Sequence, residues 1–212
     1  ERLHMLHGFA HTLEDIYLEP EKIHRTLDMI LEFKLAQVDE AGRRFGSRVH
    51  GLFLTDDWGT QQNTFISPAA FREFFAPRYH TLFDAIHSHG WHVILHSCGR
   101  VNDFVPLFIE AGADVLNMQQ PRAYGIRELG ASWAGKICFL TTVDIQATLP
   151  RQDPDAVRAE ARELVEHWST PQGGLIVFNY GDSVGIGATD EMAEVMFRTF
   201  YELRHYWTTQ AT

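Results

Sequence analysis

The tetrapeptide His96-Ser97-Cys98-Gly99 closes an apolar run, Val93-Ile94-Leu95, and sets an imidazole and a thiol two residues apart. Strand side chains alternate with period two, so a histidine and a cysteine at this spacing face the same side. Imidazole and thiolate together suit a soft dication such as zinc. Two ligands do not make a site, and the polar residues at other strand ends become candidates for the rest. Cys138 is a rival thiol, but it stands inside the apolar strand Ile137-Cys138-Phe139-Leu140, where a buried structural role is expected.

The elements that position these residues follow from periodicity. Ile23, Leu27, Ile30, Leu31, Leu35 and Val38 recur at helical spacing between Pro20 and about Phe45, with Gly46 behind them. Residues 49–54 read as a buried strand running into the polar loop Thr55-Asp56-Asp57-Trp58-Gly59-Thr60-Gln61-Gln62. Ser67-Pro68 opens a helix expected to continue to Gly90. Shorter units follow, with strands over 91–95, 113–118, 136–142 and 174–179 separated by amphipathic helices, the last from Thr189 to about Tyr206. Apolar strands alternating with helices predict a parallel sheet covered by helices, hence an α/β fold. Each strand ends in groups able to do chemistry: Asp56/Asp57, His96/Cys98, Asn117/Gln119, Asp144 and Asp182. In a (β/α)8 barrel such ends form one rim, and active sites are built there. Capping and turn formation would explain any one of these aspartates, but less well the recurrence at five strand ends. Five strands do not close an eight-stranded barrel. The expectation is therefore a single barrel domain over 1–212 that covers about the last five β/α units, with the N-terminal part absent.

Bulk properties narrow the function classes. The 212 residues are 45% hydrophobic and 22% charged, ordinary for a globular chain. A formal net charge of -10 argues against nucleic acid or an anionic membrane surface as partner. No apolar run approaches the roughly 20 residues of a membrane span, and the N-terminus lacks the layout of a signal peptide. Two cysteines argue against a disulfide scaffold and make a reducing, cytoplasmic setting the expectation. No Gly-rich phosphate fingerprint follows a strand.

Asp56-Asp57-Trp58-Gly59-Thr60-Gln61, Ile66-Ser67-Pro68, His96-Ser97-Cys98-Gly99, Val115-Leu116-Asn117 and Val143-Asp144, in this order, resemble the uroporphyrinogen decarboxylase superfamily. Within it, the branch related to cobalamin-dependent methyltransferases is the nearest in pattern. The resemblance runs from about Arg2 to Leu203 and implies a (β/α)8 barrel. It also implies zinc held by His96, Cys98 and a distant third ligand. Phe178-Asn179-Tyr180-Gly181-Asp182 aligns with the loop that carries that ligand, and the decarboxylases have histidine where this chain has Asp182. A carboxylate is an acceptable zinc ligand.

What the resemblance implies for function is a zinc-dependent methyltransferase that moves a methyl group between a small substrate or thiol and a corrinoid protein. Asp57 and Asp182 would then be catalytic, and Asp56, Trp58, Gln61, Asn117, Gln119 and Asp144 would line the substrate pocket. An alternative is a carboxy-lyase of the decarboxylase type, for which Arg100 and Arg122 are the nearest cationic candidates. A further alternative is a non-catalytic barrel that binds a corrinoid partner.

Overall fold

The computed structural model describes residues 1–210; the last two residues of the expected 1–212 domain lie outside the described residues. The chain divides into two compact units, Glu1–Val115 and Leu116–Thr212.

The first unit begins with two short helices, α1 (Arg2–His7) and α2 (Phe9–Leu18), and the 26-residue α3 (Pro20–Phe45). Pro20 sits at the start of α3, where its missing N–H costs nothing, and Gly46 stops the helix at φ 50°. Strand β1 (Gly51–Thr55) follows, then α4 (Pro68–Phe74), α5 (Ala76–Ser88) and β2 (His92–His96). Ser67 caps α4 by accepting from the Ala70 N–H at 3.1 Å. The helix expected to be continuous from Ser67 to Gly90 is broken at Phe75, whose φ is -113°. The reason is Pro77, which cannot donate to the preceding turn and is tolerated only where a new helix starts. The break lets Phe71, Phe74 and Phe75 all bury. A short 3-10 turn and α6 (Val105–Glu110) complete the unit.

Strands β1 and β2 pair in parallel, from Gly51 opposite His92 to Thr55 opposite His96. Val93 and Leu95 are buried. His96 shares the opposite face with Phe53, whose ring it stacks at 6.4 Å. Here the period-two argument holds, and it is what turns the imidazole away from the hydrophobic layer.

Strand β3 (Val115–Met118) leads into the second unit, followed by α7 (Pro121–Tyr124), α8 (Ile126–Trp133), β4 (Cys138–Thr141), α9 (Pro154–Trp168), β5 (Leu175–Val177), α10 (Asp190–Glu202) and α11 (Tyr206–Gln210). Helix α9 is capped by Asp153, which accepts from the Asp155 and Ala156 N–H groups. Val157, Ala161, Leu164 and Trp168 form its buried stripe at helical spacing. Strand β4 pairs with β5 in parallel, Phe139 opposite Leu175. The strand order is β1-β2-β3-β4-β5, as a chain of β/α units with neighbouring strands in sequence predicts. Among the described residues, no helix is long and apolar enough to cross a membrane.

Candidate metal centre

The loops after β1 and β2 are laced together, and this lacing builds the site. The Asp56 N–H donates to the His96 carbonyl at 3.0 Å, the Gly59 N–H to the Cys98 carbonyl at 3.1 Å, and the Arg100 N–H to the Thr60 carbonyl at 2.7 Å. The buried Ser97 hydroxyl accepts from the Trp58 N–H at 3.1 Å. The parallel ladder thus continues beyond both strands as paired loops. Within it the Cys98 N–H donates to Asp57 Oδ1 at 2.7 Å.

The result brings three donors together. Cys98 Sγ stands 3.2 Å from His96 Nε2, and Asp57 Oδ1 stands 3.4 Å from the same nitrogen. One ligand atom from each of Asp57, His96 and Cys98 lies within 4.8 Å of the others, the one such group among the described residues. Tetrahedral zinc with ordinary bond lengths holds its nitrogen and sulfur ligands about 3.5 Å apart, and nitrogen and oxygen about 3.4 Å apart. The nitrogen–oxygen separation equals that value and the nitrogen–sulfur one lies about 0.3 Å below it, so the donor set suits the metal in chemistry and comes close in spacing. The His96 side chain is 12% exposed and that of Asp57 37%, a sheltered imidazole beside a carboxylate open to solvent.

Electrostatics point the same way. Burial, then the charge and hydrogen bond of Asp57, push the Cys98 thiol up to about 12. A thiol and a carboxylate in contact disfavour a second negative charge, which a dication between them would relieve. Cys138 is also raised, by burial, and its Sγ has a weak contact with the Phe139 carbonyl.

The remaining expected site residues are placed as follows. Asp56 turns away from Asp57: its Oδ2 accepts from the Tyr79 hydroxyl at 2.5 Å. Trp58, 1% exposed, packs against Phe71, Phe75 and Phe104 and donates its indole N–H to Tyr79 at 2.9 Å. A cavity of about 340 Å³ is lined by Asp56, Trp58, Tyr79 and apolar residues of α3 and α5; none of the three clustered ligands borders it. Gln61 is exposed in the loop after β1.

In the second unit, Asn117 is fully buried, donating to the Leu140 carbonyl at 3.0 Å and accepting from Gln119 at 2.9 Å. Asp144 is 2% exposed and accepts from the N–H groups of Arg122, Gln146 and Ala147. Its own N–H donates to the buried Glu160, which also accepts from Thr148 and Arg122. Burial raises the Glu160 carboxyl, and those three donors oppose the rise. Asn117, Gln119 and Asp144 thus have hydrogen-bonding groups engaged in holding strand-end loops. Asp182 is exposed in the loop after β5 and accepts from the Gly185 N–H at 2.8 Å.

Sequence reasoning named His96, Cys98 and Asp182 as metal ligands and Asp57 as catalytic, and gave no role to Ser97 or Tyr79. For Asp57 the signal lay two residues beyond Thr55, the partner of His96, which sets Asp57 beside Cys98 and is readable only with the β1–β2 register known.

Known proteins supply the context. The family described as uroporphyrinogen decarboxylase (URO-D) matches residues 3–203. A solved structure, a methyltransferase from Methanosarcina mazei, superposes with a TM-score of 0.68 at 17% identity, covering 92% of this chain. The chain spans about half of that structure, 53% of its length. That likeness shows the fold: α/β, with parallel strands as in part of the family's (β/α)8 barrel. No curated protein matches by sequence.

Proposed function

Since the chain belongs to the uroporphyrinogen decarboxylase family, we propose that its clustered ligands serve the chemistry of the family's methyltransferase branch. The reading is a zinc-dependent enzyme that moves a methyl group between a small substrate or thiol and a corrinoid carried by a partner protein. The observation that carries it is the Asp57, His96 and Cys98 cluster, with spacing suited to tetrahedral zinc.

His96 and Cys98 would hold the metal, with Asp57 as the carboxylate beside them; Asp182 stays a proposed ligand and catalytic group. Zinc bound there supplies Lewis acidity, lowering the pKa of a thiol or polarising a methylated heteroatom. The chain's own residues do the rest. Ser97 and the Cys98 N–H fix the loops, so the ligands are held before metal arrives. Asp57, more open than His96, is also a group placed to meet an incoming proton. Asp56, Gln61, Asn117, Gln119 and Asp144 are proposed to shape the surroundings at neighbouring strand ends, most through the loops they hold.

The test uses zinc-loaded protein, methylcob(III)alamin and 2-mercaptoethanol. A thiolate that takes the methyl group breaks the cobalt–carbon bond and leaves the electron pair on cobalt, which the visible spectrum reports. Zinc-dependent demethylation that is lost in Cys98→Ser supports the reading. Zinc bound without any turnover of this kind contradicts it and favours a barrel that only binds its corrinoid partner. Carbon dioxide release from a carboxylated porphyrinogen would instead favour the carboxy-lyase reading that the family match also supports.

A further inference from the structure

Two consecutive aspartates at the end of β1 point to different places, and one buried phenol lies behind the difference. Asp57 reaches the Cys98 N–H and the His96 ring. Asp56, one residue earlier, accepts a 2.5 Å hydrogen bond from the Tyr79 hydroxyl. Trp58, one residue later, donates its indole N–H to that same hydroxyl at 2.9 Å. A single oxygen therefore grips the side chains on both sides of Asp57.

Tyr79 is suited to the task. It sits on α5, its ring packed at 5.3 Å against Phe71 and at 5.3 Å against Phe83, with Phe108 at 6.2 Å. A rigid aromatic with both hydrogen-bond roles satisfied has no alternative orientation to adopt. Backbone pairing to residues 96–98 sets where the 56–59 turn runs. The Cys98 N–H already draws Asp57 toward the cluster, and the groups on either side of Asp57 need a hold of their own to keep it there. Tyr79 supplies that hold, because a turn that rotated Asp57 outward would strip the O–H donor from Asp56 and leave the Trp58 N–H buried without an acceptor, each a costly loss.

We propose that Tyr79 is a positioning residue for the metal centre, orienting Asp57 toward His96 and Cys98 through Asp56 and Trp58. The inference rests on the metal reading above and adds a residue that touches none of the three ligands. Removing a group hydrogen-bonded directly to a metal ligand typically lowers affinity about 10- to 100-fold; Tyr79 acts one residue further out, so the low end of that range is its ceiling.

The test is competitive zinc titration and the visible spectrum of the cobalt(II)-substituted protein, alongside thermal unfolding. Parent, Tyr79→Phe and Leu82→Ala are compared; Leu82 is a buried core residue on the same helix. Tyr79→Phe is expected to lose up to about 10-fold in zinc affinity and to change the cobalt spectrum. Leu82→Ala is expected to lower Tm while keeping both affinity and spectrum. Parental affinity and spectrum in Tyr79→Phe would overturn the inference while leaving the metal reading intact. So would an equal loss of affinity in Leu82→Ala, since the loss would then follow stability alone. A parent protein that binds neither metal overturns both.

Discussion

Gly99 crosses Gly59 so closely that a Cβ built on Gly99 would stand 2.2 Å from the Gly59 carbonyl oxygen. Gly99 also has φ +77°, in the region that side chains avoid. A Cβ on Gly59 would in turn meet the Arg100 nitrogen at 2.7 Å. Both obstructions are backbone, which cannot swing aside as a flexible side chain can. This crossing lets the loop carrying Asp57 lie against the loop carrying Cys98. Gly99→Ala is therefore expected to cost at least ~2 kcal/mol, lowering Tm by roughly 4–8 °C. Zinc content should fall with it. Thermal unfolding and metal analysis check both outcomes; a variant with parental Tm and zinc would contradict the crossing.

The Cys98 thiol, held up at about 12 without metal, must lose its proton to become a thiolate ligand. Zinc capture should then release about one proton from this thiol, and affinity should rise about tenfold per pH unit between about pH 6 and 8. Calorimetry in two buffers of different ionisation enthalpy measures the released proton. Affinity independent of pH would mean that Cys98 is not the ligand.

Asp144 shows a strand-end aspartate with a structural task. Its carboxylate accepts from three backbone N–H groups in a site only 2% exposed. Asp144→Ala leaves them without that acceptor and should cost on the order of 3 kcal/mol. The urea midpoint should fall without a change in slope, and Asp144→Asn should fall between parent and Asp144→Ala. The zinc stoichiometry of folded Asp144→Ala is expected to equal that of the parent.

Asp114 links the chain before β3 to β2. Burial raises its carboxyl, but the Val93 N–H at 2.7 Å and His87 at 2.8 Å outweigh it and hold the group below the usual carboxylate value. A depressed folded-state pKa gives stability that is present above the unfolded value, about 3.9. That stability disappears as pH falls through the folded one. Since Asp114 is about a third exposed (35%), solvent screening keeps the effect on the order of 1 kcal/mol. Asp114→Asn should lower Tm at neutral pH by about 2–4 °C, and the gap should close below about pH 4. A gap unchanged by acid would contradict the assignment.

What was legible in the sequence follows the range of the forces involved. Pro20, Gly46, Asp153 and Thr189 are local signals, and α3, α9 and α10 begin or end at them. The spacing of His96 and Cys98 is a local signal too, although β2 ends at His96 and Cys98 lies in the loop beyond it. The break at Phe75 was less so: the apolar face of α4 runs on into α5, and only Pro77 marks the change. Asp57 was legible as a strand-end carboxylate but not as a partner of Cys98, because the contact spans 41 residues and depends on two glycines allowing two loops to touch. Trp58, which the resemblance placed in the lining of the substrate pocket, packs into a core of Phe71, Phe75 and Phe104 that depends on residues distant in sequence.

The central claim is that Asp57, His96 and Cys98 hold a metal ion, and metal content of the purified protein tests it most directly. The account predicts about one zinc per chain in the parent, in keeping with a single mononuclear site. It predicts loss of that zinc in His96→Ala and Cys98→Ser, weakened binding in Asp57→Ala, and an undiminished content in Cys138→Ala. Asp182→Ala decides whether that aspartate is a further ligand. A parent protein free of zinc after reconstitution, or one whose zinc survives both His96→Ala and Cys98→Ser, would contradict the account.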